Sequence, residues 1–290
     1  MSPPPPPRAC IIGHPVAHSR SPLIHGHWLA RHGLDGSYSL EDVAPGGLAD
    51  FLTGMGGHFV GANVTVPHKV DALQLSARAT AQAQAVGAAN TLWFEAGTLV
   101  ADNSDVAGFL AHLDEAAPGW ERRARRAVVL GAGGAARAVL YALIGRGIET
   151  IRLVNRDLGR AGALRERFGP AVEPAAWAGV EASLRACDLL VNTTSLGMTG
   201  QPPLRLDLAD LPPHAVVVDI VYAPLETDLL LAARRRGLVA VDGLGMLLHQ
   251  AAPAFERWFG VRPSVTPELR ALIEASIAGD ARAADQTRPA

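Results

Sequence analysis

Val128-Val129-Leu130-Gly131-Ala132-Gly133-Gly134-Ala135-Ala136 decides the fold of this 290-residue chain. Ala127–Leu130 is a short, unbroken apolar run, the pattern of a strand buried on both faces. It breaks into G-x-G-x-x-A. Gly131 permits the tight turn, Gly133 lets backbone approach a pyrophosphate, and a small third residue lets the next helix pack closely on the strand. That helix, expected over Ala135–Gly147, offers its free N-terminal N–H groups to phosphate oxygens. The bare motif is weak, and a tight βα turn without ligand is its blander reading. A preceding buried strand and a following helix are the context that dinucleotide binding requires.

Downstream the pattern repeats. Strand Ile151–Val154 is followed by helices Gly159–Phe168 and Gly179–Ala186, then strands Leu189–Asn192 and Ala215–Val221. Helix Thr227–Arg236 leads to strand Val239–Val241, and helices Gly245–Phe259 and Pro267–Ile277 close the chain. Strands alternating with helices predict parallel βαβ units, and with the glycine turn a Rossmann-type domain. The second strand ends Val154-Asn155-Arg156-Asp157. An acid at that place holds a free ribose 2′-hydroxyl and favours NAD. Arg156 can pair with a 2′-phosphate and favours NADP. Asp157 pulls toward NAD, or simply caps the next helix. NADP is preferred and NAD stays open.

Upstream, Ala9–Gly13 reads as a strand and Pro22–His32 as a helix, with Ser21 as N-cap and Gly33 as its stop. Strand Tyr38–Val43, helix Gly47–Met55 and strand His58–Val66 follow, the last ended by Pro67. Within Gly13-His14-Pro15-Val16-Ala17-His18-Ser19-Arg20-Ser21-Pro22, two hydroxyls precede a helix N-terminus, a setting for a small carboxylate. In Asn63-Val64-Thr65-Val66-Pro67-His68-Lys69, alternation puts Asn63 and Thr65 on one strand face. Ala89-Asn90-Thr91 and Asp102-Asn103-Ser104-Asp105 add amide, hydroxyl and carboxylate groups. Asn63 and Asn90 read equally well as turn residues, and Ser21 as an ordinary cap.

Composition narrows the function. A net charge of −2 gives no basic surface for nucleic acid and no reason to invoke a membrane. The long apolar stretch from Ala127 to Gly147 is broken by glycines and Arg137, unlike a spanning helix. The N-terminal proline run is no secretory signal, and two distant cysteines, Cys10 and Cys187, fit a reducing cytoplasm. Ten histidines form no metal-ligand pattern, so no metal is expected. Of 26 basic residues 25 are arginine, and Lys69 is the single lysine. Lysine is the cation whose proton can be moved at working pH, so Lys69 is a candidate for chemistry. The bland alternative is compositional bias.

From Cys10 to Trp258 these motifs, in collinear order, resemble the shikimate dehydrogenase family. Further stretches that carry the resemblance are Asn192-Thr193-Thr194-Ser195-Leu196-Gly197-Met198, Asp219–Thr227 and Gly243–Gln250. The resemblance implies NADP-linked, reversible reduction of 3-dehydroshikimate to shikimate, with quinate and NAD use, or a non-catalytic sensor, as alternatives. It implies Lys69 and Asp105 as the catalytic pair. Substrate would be held by Ser19, Ser21, Asn63, Thr65, Asn90, Asp105, Tyr222 and Gln250. The cofactor would be held by Gly131, Ala132, Gly133, Gly134, Ala135, Asn155, Arg156, Asp157, Thr193, Met198, Val221, Gly243 and Met246, although both methionines also read as core fillers. The implied α/β fold has an N-terminal substrate-binding catalytic domain (8–106 and 245–280, the C-terminal helices returning to it) and a Rossmann NADP-binding domain (107–244). Residues 1–7 and 281–290 are expected as disordered tails. The expected partners are a small-molecule substrate and, at most, a second copy, giving a monomer or homodimer in the cytoplasm. Three motifs depart from the family pattern: Gly26 follows His25, Asn103-Ser104-Asp105-Val106 stands where Asn-Thr-Asp-Gly is common, and Asp157 stands in place of a threonine or serine.

Overall fold

Residues 5–286 are described in the structure, a computed structural model. The chain divides into two units, Met1–Asp105 with Leu248–Ile273, and Val106–Leu247 with Glu274–Ala290.

The first unit carries β1 (Arg8–Gly13), α1 (Ser21–His32), β2 (Ser37–Asp42), α2 (Leu48–Met55), β3 (Gly61–Val64), α3 (Lys69–Leu75), β4 (Arg78–Ala79), α4 (Ala81–Val86), β5 (Thr91–Glu95) and β6 (Thr98–Asp102). Its sheet runs β2-β1-β3-β5-β6-β4. The β1–β2 and β1–β3 pairs are parallel, and β5 enters antiparallel to both β3 and β6. One face buries Ile12, Val64, Leu92 and Ala101 against Leu52 and Met55 of α2. Gly33 ends α1 at φ +61, in the left-handed region that glycine adopts without a Cβ penalty. β3 is shorter than expected because Met55 carbonyl accepts from both His58 and Phe59 amides, which turns the chain before Gly61.

The second unit carries α5 (Asp105–Ala116, its first residue belonging to the first unit), α6 (Trp120–Arg123), β7 (Arg126–Leu130), α7 (Gly134–Gly145), β8 (Thr150–Asn155), α8 (Leu158–Phe168), β9 (Val172–Ala176), α9 (Val180–Leu184), β10 (Leu189–Asn192), β11 (Val216–Asp219), α10 (Asp228–Arg235) and β12 (Val239–Val241). Its strand order is β12-β11-β10-β7-β8-β9, all parallel. This is the doubly wound dinucleotide-binding order, with its reversal point between β7 and β10. Val128, Leu130, Val154, Leu190 and Val217 bury one face against Leu229 and Leu230 of α10.

The last helices are α11 (Leu244–Phe259) and α12 (Pro267–Gln286). Most of α11 belongs to the first unit, but its opening turn belongs to the second. There the Gly243 amide donates to the Val221 carbonyl, and Gly245 lies so close to His112 that a Cβ would overlap the ring. The helix α12 continues to Gln286, where a tail was expected from 281. Its alanine-rich end has high helix propensity, which outweighs its lack of an apolar stripe. Residues 1–4 and 287–290 of the expected tails lie outside the described residues.

Candidate active site

Lys69 opens α3 after the N-cap His68, two residues beyond Pro67, and its carbonyl accepts from the Ala89 amide at 2.8 Å. That bond sets the start of α3 beside the loop leading into β5. The Lys69 ammonium lies 2.5 Å from Asp105 Oδ2, with side-chain exposures of 14% and 5%. The other carboxylate oxygen accepts from Asn90 Nδ2 at 2.9 Å. Asn90 is buried, and its amide nitrogen also lies 3.0 Å from Ser104 Oγ and 3.1 Å from Gln250 Oε1. Its oxygen accepts from the Ser104 amide at 2.7 Å. The register that faces Thr91 with Asp102 is what brings Asn90 and Ser104 together. A carboxylate held on one side by an ammonium and on the other by a fixed amide has one orientation available, which is what proton transfer geometry requires.

Asn63 sits beneath this cluster. Its Oδ1 accepts from the Tyr38 hydroxyl at 2.7 Å and its Nδ2 donates to the Asn90 carbonyl at 3.1 Å. Thr65 lies one residue beyond β3 and is half-buried. At the start of α1 the expected cap is not formed. Arg20 occupies the N-cap position without a side-chain hydrogen bond, and Ser21 is the first helical residue. The Ser21 amide and hydroxyl both lie 3.3 Å from Ser19 Oγ. No acidic residue occupies the first turn, so two hydroxyls stand beside the positive end of α1, the arrangement that attracts a carboxylate.

In the second unit Gly131 has φ +100, and a Cβ there would lie 2.9 Å from Thr193 Oγ1 and from Thr194 Cγ2. Gly133 is the N-cap of α7, and a Cβ on it meets nothing within 4 Å. The first turn of α7 has no side-chain cap and no acid. Its N–H groups around Gly133, Gly134 and Ala135, reached past Ala132, fit a pyrophosphate in charge and in room. Ala136, the small third residue of the motif, is fully buried.

At the end of β8, Asn155 Nδ2 donates to the Asp157 carbonyl at 2.8 Å. The Asp157 side chain caps α8, accepting from the Arg160 amide at 3.1 Å, and Arg160 Nε lies 3.5 Å from its other oxygen. The acid is thus turned into the helix, while Arg156 before the cap and Arg160 in the first turn stand exposed. Thr193 Oγ1 donates to the Leu130 carbonyl at 2.6 Å, and Gly243 is bonded to Val221. Val221, Gly243 and Met246 are buried, while Met198 and Tyr222 are half-buried in the loops after β10 and β11.

The structure therefore joins Lys69, Asp105, Asn90, Gln250 and Asn63 in one network, pairs Ser19 with Ser21, and sets Thr193 on the glycine turn. Sequence reading missed Ser104, Tyr38 and Arg160. Ser104 stands in the same motif as Asp105, and Arg160 lies in the first turn of the helix that follows Arg156, so both had a signal. Tyr38 had none. Among the described residues no group of three or more His, Cys, Asp or Glu could hold a metal, and no helix is long and apolar enough to cross a membrane.

Comparison with known proteins places the sequence and the fold among known families. Residues 11–92 match the model of the shikimate dehydrogenase substrate-binding domain, residues 115–199 that of shikimate/quinate 5-dehydrogenase, and residues 243–272 that of the shikimate 5′-dehydrogenase C-terminal domain. The chain is 58% identical over 271 residues to shikimate dehydrogenase (NADP(+)) of Rhodopseudomonas palustris strain TIE-1, covering 93% of this chain and 97% of that one. Shikimate 5-dehydrogenase of Thermus thermophilus, solved with NADP(H) and shikimate, superimposes with TM-score 0.80 at 36% identity, covering 94% and 99% of the two chains. Quinate dehydrogenase of Corynebacterium glutamicum, solved with NAD, superimposes with TM-score 0.84 at 32% identity, covering 94% and 100%.

Proposed function

The chain belongs to the shikimate dehydrogenase family, and from that premise we propose that Lys69 and Asp105 move the proton in its reaction. The protein is an NADP-dependent oxidoreductase of the shikimate pathway, which feeds aromatic amino-acid biosynthesis, and it interconverts 3-dehydroshikimate and shikimate. Reduction of a ketone needs a hydride and a proton, and NADPH supplies the hydride when bound. Lys69 Nζ gives its proton to the developing alkoxide. In the reverse direction the neutral amine accepts the alcohol proton. Asp105 orients Nζ and accepts from the neighbouring ring hydroxyl. Ser19, Ser21 and the open end of α1 hold the ring carboxylate, and Thr65, Asn90 and Gln250 address the hydroxyls. Asn63, its amide occupied by Tyr38 and Asn90, acts by holding Asn90 in place.

For the cofactor, Gly131–Ala135 take the pyrophosphate, and Asn155 and Arg156 the adenosine phosphate, with Arg160 beside them. Thr193, Met198, Val221, Gly243 and Met246 line the nicotinamide side. The observation that carries the proposal is the 2.5 Å contact of the chain's single lysine with a buried, amide-held carboxylate. Asp157 is the observation behind a second reading, quinate oxidation with NAD, because an acid at that strand end favours a free ribose. Its engagement with the α8 N-terminus and Arg160 supports NADP instead. Near-ultraviolet absorbance of reduced cofactor, followed with shikimate or quinate and NADP⁺ or NAD⁺, tests the assignment. Turnover is expected with shikimate and NADP⁺; turnover only with quinate or only with NAD⁺ moves it to the second reading. Two free, buried cysteines support a reducing cytoplasm as its compartment. The assembly is a monomer or a homodimer, which sedimentation distinguishes.

A further inference from the structure

Asp219 ends β11 at zero exposure, in register with Asn192 of β10, which is itself in register with Leu130 of β7. One carboxylate oxygen accepts from Asn192 Nδ2 at 2.9 Å and from the Val221 amide at 3.1 Å. The other accepts from Thr227 Oγ1 at 2.7 Å. All three are neutral donors, so the carboxylate is satisfied by fixed dipoles. Asn192 extends the network: its Nδ2 also donates to the Leu196 carbonyl at 3.2 Å. Its Oδ1 accepts from the Thr194 amide at 3.0 Å and hydroxyl at 2.7 Å. The loops after β10 and β11 are thereby tied together at their roots. The first presses Thr193 and Thr194 onto Gly131, and the second supplies the Val221 carbonyl to Gly243.

We propose that Asp219 is a positioning residue for the cofactor: it locks the two loops so that Thr193, Met198 and Val221 are preset against the dinucleotide before it binds. The inference rests on the cofactor assignment above. A merely structural carboxylate would affect folding; a positioning one also sets cofactor affinity. Asp219→Asn keeps the shape and one acceptor oxygen but sets an amide NH₂ where a second acceptor stood. NADPH affinity is read by fluorescence titration without substrate, beside steady-state kinetics and thermal unfolding. The expected result is NADPH binding weaker by roughly tenfold or more, the scale of one hydrogen bond to a charged group. A lower kcat and a KM for shikimate within about twofold of the parent should accompany it. Thr227→Val should repeat the loss and Thr227→Ser restore it, and this pair decides the matter if Asp219→Asn does not fold. Unchanged NADPH affinity and kcat, a lowered unfolding temperature alone, or an equal shift in the KM for shikimate would overturn the proposal. A parent that binds NADPH but does not oxidise shikimate would instead sink the substrate reading, while the titration still judges Asp219.

Discussion

Lys69 was legible because of what surrounds it in composition: one lysine against 25 arginines. What the count could not supply was its partner, which lies 36 positions away. Lys69→Ala should lose turnover by about 10²–10⁴-fold, the usual worth of general acid–base help, while NADPH binding stays within twofold. Lys69→Arg is the sharper test, because arginine keeps the positive charge but holds its proton. Comparable loss in both variants assigns the role to proton transfer; recovery in the arginine variant would assign it to charge alone. Asp157 was ambiguous in sequence because one carboxylate can serve a ribose or a helix end, and only the hydrogen bond to the Arg160 amide separates them. Asp157→Ser keeps a capping oxygen and removes a negative charge beside the place proposed for the 2′-phosphate. A unit charge there is worth about 1 kcal/mol in water, so kcat/KM for NADP⁺ over NAD⁺ should rise roughly fivefold. A ratio that moves toward NAD⁺ in that variant would mean that Asp157 supports the phosphate instead.

At the scale of elements, the glycine turn was readable and the β5–β6 hairpin was not, for a physical reason. The turn after β7 needs its glycines locally, so the requirement is written in consecutive residues. The hairpin turns through Ala96 at φ +48 and Gly97 at φ +79, within Glu-Ala-Gly-Thr, which lacks the Asn-Gly or Asp-Gly signature of such turns. Yet that hairpin brings Asn90, just before β5, against Ser104, just after β6, so this part of the network depended on pairing that no local pattern announced. The glycines make separable predictions. Gly131→Ala forces a side chain into a left-handed conformation and against Thr193, and should lower both thermal stability and NADPH affinity, the strain being about 1–3 kcal/mol. Gly133 has extended backbone and open space. Gly133→Ala should leave the unfolding temperature in place and abolish NADPH binding, because its methyl would fill the space proposed for the pyrophosphate. Equal loss of stability in both would contradict the cradle reading.

Helix α1 carries a different kind of hidden cost. His25 is fully buried, stacked on Tyr38 at 4.0 Å and packed by Trp28, Phe255 and Trp258; neither ring nitrogen makes a hydrogen bond of good geometry, and the nearby Asn63 amide offsets its burial only in part. Burial pushes its pKa from 6.5 down to about 3, so the fold accepts only the neutral ring. The unfolded chain takes up a proton below pH 6.5 and the native chain does not until near pH 3. Stability from this site is therefore complete above pH 6.5 and drains as pH falls toward 3, by up to ~1.4 kcal/mol per pH unit. His25→Phe keeps a stacked ring without a basic nitrogen. The difference in unfolding free energy between parent and variant, measured in denaturant at pH 7, 6 and 5, should shift steadily in favour of the variant. A difference independent of pH would show that the buried ring is not titrating.

Over the whole molecule, the same 49% hydrophobic composition packs two sheets by different rules. The second unit is an all-parallel sheet, and five of its six strands could be read from short apolar runs; β9, Val-Glu-Pro-Ala-Ala at the sheet edge, carries no such run and was missed. The first mixes parallel and antiparallel pairs, and its polar residues are spent on holding one another as much as on ligand; Asn63 is the example, engaged on both sides of its amide. This division predicts how ligands redistribute stability. Anything that binds only the native state adds RT ln(1 + [L]/Kd), about 2.7 kcal/mol at a hundredfold excess over Kd. Hydrogen exchange reports where that energy is felt. Shikimate alone should slow exchange around 19–21, 63–69, 90–91 and 103–105. NADPH alone should slow it around 131–137, 155–160, 193–198 and 220–227, including the loop roots tied by Asp219. In Asp219→Asn the slowing at 193–198 and 220–227 should shrink even at saturating NADPH, while that at 131–137 persists. Loss spread evenly over all four segments would make Asp219 a general stabiliser of the unit, and slowing by NADPH confined to 19–105 would place the cofactor elsewhere altogether.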